Sequence, residues 1–230
     1  GKPAAHKKFG NSIAVLVGDF LLARALSISA ATGRVKVVGI LAELTENMSQ
    51  GEVHQLMRKG DIGLSEDEYL EVIRRKTAVL FEAACRVSAV LADAPEDKES
   101  ALADYGFNLG MAFQMADDLF DYILETPQLG KEIGADLREG KMTLPLIHAL
   151  RNARSTDRKW MAGLIQNKDF SSDDFQKLVG LLTGHGAFRY TEKAAAMYIE
   201  KAKAALEAFG PSATRQTMLD IADYTLQRRV

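Results

Sequence analysis

Nearly every segment of this chain predicts α-helix, and the expected fold is all-α in one domain. Two observations carry that expectation. Apolar residues recur at three- and four-residue spacing from about Ser12 onward, with few β-branched alternations and no Asn-Gly or Asp-Gly pair to turn a hairpin. The stretch from Leu109 to Ile123 is apolar nearly all round, through Met111, Phe113, Met115, Leu119 and Phe120, as a buried helix must be.

That helix also carries Asp117, Asp118 and Asp121. At about 100° per residue, Gln114, Asp117 and Asp121 share one stripe, with Asp118 roughly 60–100° to its side. Carboxylates among apolar side chains have to be paired, protonated or bound to a metal. Oxygen ligands without Cys or clustered His favour a hard cation, above all Mg²⁺. The other reading is a solvated acidic stripe, which the apolar surroundings disfavour.

The 230 residues suffice for one large domain, and 47% of them are hydrophobic, enough for a core without staples. Net charge is −2 and the pI about 6.1, so no basic face points to nucleic acid. One cysteine, Cys85, excludes an intrachain disulfide and fits a reducing, cytoplasmic compartment. Among Ala83, Ala84 and Val87 it reads as a small core residue. No uninterrupted apolar run reaches membrane-span length, so no transmembrane segment is expected, and no secretory signal opens the chain. Gly1-Lys2-Pro3 lacks an initiator Met, which predicts further sequence upstream.

The first long helix is expected from about Ser12 to Ala31, ended by Gly33. Asp19 within it, if turned inward, would be structural, capping or paired with a neighbour, and the structural reading is preferred. The next runs from Val35 through Met57; its Glu52-Val53-His54 spacing does not put two ligands on one face. Arg58 to Gly63 breaks it, and Ser65 before Asp67 and Glu68 starts a helix to Leu91. Tyr69, Val72, Ile73, Leu80, Ala83 and Val87 form its apolar stripe, with Lys76 inside. A lysine there either meets an anion or snorkels to water, and sequence alone leaves both open. Thr77 adds a hydroxyl beside it.

Asp93 to Asp97 turns the chain into the aspartate helix, which Pro127 ends. The loop Gly130 to Lys141 follows, with three glycines for close backbone approach and Lys131 and Lys141 for a phosphate; it is not a Walker loop. Thr143 and Pro145 open another helix. Shorter helices are expected from Asp157 to Gln166, after Ser171-Ser172, from Ala187 to Phe209, and toward Gln227.

Together these pieces closely resemble the trans-type polyprenyl diphosphate synthases, in their long-chain (octaprenyl- or decaprenyl-like) branch. The matching stretches are Gly1 to Asn11, Val17 to Leu22, Gly51 to Leu56 (Gly-Glu-Val-His-Gln-Leu), Lys76 to Phe81 (Lys-Thr-Ala-Val-Leu-Phe), Phe113 to Asp121, and Gly130 through Gly140-Lys141-Met142-Thr143-Leu144-Pro145. The resemblance implies the isoprenoid synthase fold, a helical bundle around a central cavity. It also implies a homodimer and the condensation of isopentenyl diphosphate with an allylic diphosphate. In that chemistry Mg²⁺ joins the allylic diphosphate to the aspartates Asp117, Asp118 and Asp121. Lys76, Lys131 and Lys141 add positive charge, oxygens of Thr77 and Gln114 lie near the allylic cation, and Phe113 lines the product's path. The family pattern has a second aspartate-rich motif, upstream of the Gly-Lys-Pro segment and not within these 230 residues. The domain is therefore expected to lack its N-terminal helices, and this stretch alone to be inactive. Two rivals remain: a non-catalytic partner subunit, and a terpene cyclase, which the Gly-Lys loop disfavours. Product length is not legible.

Overall fold

The computed structural model describes residues 3–123, 134–167 and 169–227, and among them every regular element is helical. Pro127, Gly130 and Lys131 lie outside the described residues. After a single turn α1 (Ala5–Phe9), the chain forms α2 (Asn11–Ala31), α3 (Val35–Met57), α4 (Glu66–Ile73) and α5 (Val79–Leu91). Next come α6 (Glu96–Ile123), a short α7 (Ala135–Glu139) and α8 (Leu144–Asn152). The remainder is α9 (Ser155–Gln166), α10 (Ser172–Gly184), α11 (Ala187–Ala205) and α12 (Ala213–Gln227).

Helix α6 is the axis. Its 28 residues span about 42 Å, with α5 and α11 packed along it and α12 beside them. Ala101, Tyr105, Leu109, Met111, Ala112, Met115, Ala116 and Leu119 are all buried, so the helix is enclosed on several sides, as its composition requires. The main core continues through Leu144, Leu146, Met161, Ile165, Leu178, Leu182, Ile199 and Leu206. Cys85 is half-buried against it, and burial pushes its thiol pKa up.

Local chemistry sets many of the ends. Ser65 and Glu68 form a reciprocal capping box on α4, and Ser171 and Asp174 another on α10. Pro145 sits in the first turn of α8, where its missing N–H costs nothing.

Four features differ from the sequence expectation. The helix expected from Glu66 to Leu91 is interrupted by a π-helical turn, Arg74–Ala78. Leu80, just beyond it, is 44% exposed, while Tyr69, Val72, Ile73 and Ala83 are buried. Helix α2 is almost wholly exposed, including Leu16, Phe20 and Leu21, and Asp19 is exposed with it rather than turned inward. Finally, α2 is long and apolar enough to cross a membrane, by length and composition only. Asp19 and Arg24 interrupt its apolar run, which hides it from a search for an unbroken stretch.

The π turn is braced by charge. Glu71 accepts from Arg74 Nε at 2.6 Å and Nη2 at 2.8 Å, and also pairs with Arg75, which reaches Gln50 on α3. The Arg74 hydrogen bonds, reinforced by Arg75, hold the Glu71 carboxyl down to about 2 from an ordinary 4.5. The folded pKa is depressed, so this stabilisation is complete above about pH 4.5 and is lost as pH falls toward 2. Glu71→Gln is therefore expected to flatten the acid limb of a stability–pH curve in that window, measured by urea unfolding. A limb of unchanged slope would remove the brace.

Candidate active site

The carboxyl-bearing half of α6 meets the π turn and the segment around α7 at one cleft. Asp118 is its buried centre, with no solvent exposure. Its Oδ2 accepts from the Tyr69 hydroxyl at 2.7 Å, and its Oδ1 accepts from Gln114 Nε2 at 2.8 Å and Lys141 Nζ at 2.6 Å. Lys141 Nζ also donates to Asp136 Oδ2 at 2.8 Å. The Asp136 N–H reaches Asp121 Oδ2 at 3.2 Å. Burial alone lowers the Lys141 pKa, but the two carboxylates outweigh it and hold the ammonium charged. Burial raises the Asp118 carboxyl pKa, and Lys141 pulls it back. Tyr69 is held firmly protonated by its burial and by the Asp118 charge, so it serves as a donor.

On the other wall, the π turn divides its two polar side chains between neighbouring helices. Lys76 Nζ lies 3.0 Å from Gln55 Oε1 and 2.7 Å from Glu52 Oε2, both on α3. The Thr77 hydroxyl donates to Gln114 Oε1 at 2.8 Å, on α6. One chain of hydrogen bonds thus runs from Thr77 through Gln114 to Asp118, where Lys141 and Tyr69 also converge. The cleft above it is lined by Gln55, Arg58, Leu64, Tyr69, Val72, Ile73, Lys76, Thr77, Gln114, Lys141 and Met142.

The α7 segment owes its shape to two glycines. Gly134 and Gly140 flank α7 at φ of 70° and 76°, left-handed values that side chains disfavour. At Gly134 a Cβ would also come within 2.6 Å of the Phe175 ring. The Gly140 carbonyl accepts from the Gly60 N–H at 2.8 Å, tying this segment to the turn after α3. Thr143 is fully buried, and its hydroxyl lies 2.7 Å from that of Tyr122.

The structure thus brings Lys76, Thr77, Gln114, Asp118 and Lys141 together at one cleft. It separates the three aspartates, however. Asp118 is sealed in a network of donors, while Asp117 and Asp121 are half-buried beside it. Gln114 pairs with Asp118, one turn on, rather than with the Asp117–Asp121 stripe. The Lys76 side chain is 37% exposed and is held by Glu52 and Gln55. Phe113 is half-buried and packs on Phe81, ring centroids 5.2 Å apart. Lys131 lies outside the described residues. Sequence reasoning missed Asp136, Tyr69, Gln55 and Glu52. Glu52 and Gln55 stand three residues apart and share a helix face, a signal that was available. For Tyr69 and Asp136 only the tertiary contact identifies the role.

Among the described residues, no three carboxylate, imidazole or thiol side chains converge into a ready-made metal cage. The donor set nonetheless suits a hard cation. Asp117, Asp121 and Asp136 supply only carboxylate oxygens, and Mg²⁺ takes one or two such groups together with water and substrate phosphates. The two oxygens of Asp118 already accept from three donors.

An all-helical bundle with lysines and carboxylates converging at one end of its axial helix is suited to an enzyme of diphosphate substrates. The polyprenyl synthetase family model matches residues 1–182. Octaprenyl diphosphate synthase of Escherichia coli (strain K12) is 37% identical over 228 residues, covering 99% of this chain and 70% of that protein. A polyprenyl synthase of Caulobacter crescentus CB15, solved in complex with calcium and isoprenyl diphosphate, superposes with a TM-score of 0.94 at 43% identity, over 100% of this chain and 70% of that one. A decaprenyl diphosphate synthase of Rhodobacter capsulatus does so with a TM-score of 0.92 at 39% identity, over 99% and 70%. The chain belongs to the polyprenyl synthetase family and has its isoprenoid synthase fold. It is a prenyltransferase, of the class that condenses isopentenyl diphosphate with an allylic diphosphate to a trans-polyprenyl diphosphate.

Removing one partner of the buried pair isolates the other. Lys141→Met leaves the Asp118 carboxylate without its counter-charge, an expected loss of about 3–5 kcal/mol in urea unfolding. Tyr69→Phe removes one hydrogen bond to a charged group, an expected loss of about 1.5–3 kcal/mol. Adding Asp118→Asn to Lys141→Met should recover part of the loss; independent, additive losses would contradict the network.

Proposed function

We propose that residues 1–230 act as one polyprenyl synthase domain of the long-chain branch, and that its cleft holds the allylic diphosphate for attack by isopentenyl diphosphate. The observation that carries this reading is the convergence on Asp118. Through Gln114, Tyr69 and Lys141, that one carboxylate aligns the aspartate helix, the Lys76-Thr77 turn and the segment ending in Gly140-Lys141 on a single cleft.

In this reading Asp117, Asp121 and Asp136 hold Mg²⁺, which when bound supplies Lewis-acid stabilisation of charge on a departing diphosphate. Lys76 exchanges its Glu52 partner for the phosphates while Gln55 keeps its direction, and Lys131, in the sequence before α7, adds charge. Lys141 acts at closer range, neutralising Asp118 and Asp136 so that the carboxylates can crowd together. The Thr77 hydroxyl and the Gln114 amide oxygen face the cleft with partial negative charge, placed to stabilise an allylic cation. Phe113 and Phe81 offer apolar surface to the growing chain.

A homodimer is the assembly this reading takes, and the exposed apolar side chains of α2 are suited to burial against further protein. The single, half-buried Cys85 suits a cytoplasmic setting.

Calorimetric titration of inorganic pyrophosphate at fixed Mg²⁺ tests the site. Asp117→Ala should weaken Mg²⁺-dependent binding far more than it alters stability. Lys76→Met should lower affinity on the order of tenfold to a hundredfold, the effect of one charge-assisted hydrogen bond. Lys76→Arg should restore it only in part, because a planar fork replaces a compact charge. Equal affinity for wild type, Asp117→Ala and Lys76→Met would end this reading. A polypeptide limited to residues 1–230 carries one of the two aspartate-rich motifs of the family pattern. It is expected to bind pyrophosphate yet yield no chain-extended product from radiolabelled isopentenyl diphosphate.

A further inference from the structure

The π turn Arg74–Ala78 is flanked by two glycines on two helices. Gly51 of α3 is buried, and a Cβ there would stand 2.8 Å from Arg75 Cβ, 3.0 Å from the Lys76 amide nitrogen and 3.2 Å from the Arg75 carbonyl carbon. Gly110 of α6 is also buried, and a Cβ there would stand 2.7 Å from Ala78 Cα. The obstructing atoms are backbone or Cβ, which no rotamer change can move. Both glycines sit in helix interiors, where glycine weakens the helix and neither has a positive φ. What they permit is close approach.

Each glycine is followed one helical turn later by a glutamine that holds a side chain of the same π turn. Gln55, four residues after Gly51, accepts from Lys76 Nζ. Gln114, four residues after Gly110, accepts from the Thr77 hydroxyl. Residues four apart lie on one helix face, so each helix presents a gap and a hydrogen-bonding group side by side.

We propose that these two Gly-x-x-x-Gln segments, Gly51 to Gln55 on α3 and Gly110 to Gln114 on α6, form a two-sided clamp on the π turn. The glycines admit the turn between the helices, and the glutamines fix the directions of Lys76 and Thr77. Gly51, Gly110 and Gln55 are thereby positioning residues for diphosphate binding. π turns are rare and occur frequently at functional sites; here an ordinary α turn would rotate Lys76 and Thr77 relative to the two helices that hold them. The proposal rests on the assignment of Lys76 to the diphosphate.

The test is the affinity of the 230-residue chain for inorganic pyrophosphate at fixed Mg²⁺ and salt. It compares wild type, Gly51→Ala, Gly110→Ala, Gln55→Met and Gly39→Ala, and repeats Gly51→Ala and Gln55→Met in a Lys76→Met background. Gly39 lies on α3 with nothing within 4 Å of an added Cβ, and its variant should bind like wild type. Gly51→Ala, Gly110→Ala and Gln55→Met should each lose affinity on the order of tenfold. In the Lys76→Met background, Gly51→Ala and Gln55→Met should cost nothing further, because their effects pass through that one side chain. Losses that persist undiminished without Lys76 would overturn the clamp and leave packing alone as the role of the glycines. Unchanged affinity in both Gly51→Ala and Gln55→Met, beside a loss in Lys76→Met, would overturn the clamp while sparing the site. No loss in Lys76→Met would remove the site assignment and the clamp together. Should circular dichroism show that Gly51→Ala does not fold, Gln55→Met decides, since methionine keeps the side-chain length and adds no backbone bulk.

Discussion

A carboxylate sealed from solvent has to be matched by donors, and the matching of Asp118 shapes everything near it. Leaving such a group unpaired costs several kcal/mol. Three donors meet its two oxygens: Tyr69 from α4, Gln114 from one turn back on α6, and Lys141 from just beyond α7. Segments far apart in sequence are therefore joined at one point. Lys141 carries the link outward to Asp136, whose amide then meets Asp121. Carboxylates that would repel one another are held close by one buried ammonium.

The same point governs the opposite wall. Gln114 uses its amide nitrogen on Asp118 and its oxygen on Thr77, so the carboxylate network and the π turn share a side chain. Backbone geometry sets the remainder. The left-handed Gly134 and Gly140 turn the chain sharply on both sides of α7, and the Gly60–Gly140 hydrogen bond anchors that segment to the turn after α3. Rigid elements on several sides of a cleft are what a diphosphate site needs, because misplacing a charge by an ångström weakens it sharply.

The parts of the structure that depend on neighbouring residues were legible in the sequence. Periodicity gave the helices, and Ser65 and Ser171-Ser172 marked two of their starts, which the structure closes with reciprocal capping boxes. The apolar surround of Asp117, Asp118 and Asp121 marked α6 as a buried helix whose charges need partners. Asp118 as the sealed hub was not legible. A helical wheel orders residues around one axis, but burial is decided by the helices that pack against it, and the donors Tyr69 and Lys141 lie 49 and 23 residues away. Leu80 and α2 failed in the same way: each is apolar by composition, and exposed because of how the chain around it packs.

What was determined without the fold, then, is the all-helical class and the position of most helices. These depend on interactions within a few residues, hydrogen-bonded turns and caps, whose energies do not wait on the rest of the fold. Only the tertiary structure decided the π turn at Lys76 and Thr77, the division of the aspartates into one sealed and two half-buried, and the entry of Asp136 and Glu52 into the site. Each of those rests on contacts between segments distant in sequence, and at the π turn the absence of a Cβ at Gly51 and Gly110 is what lets the helices approach.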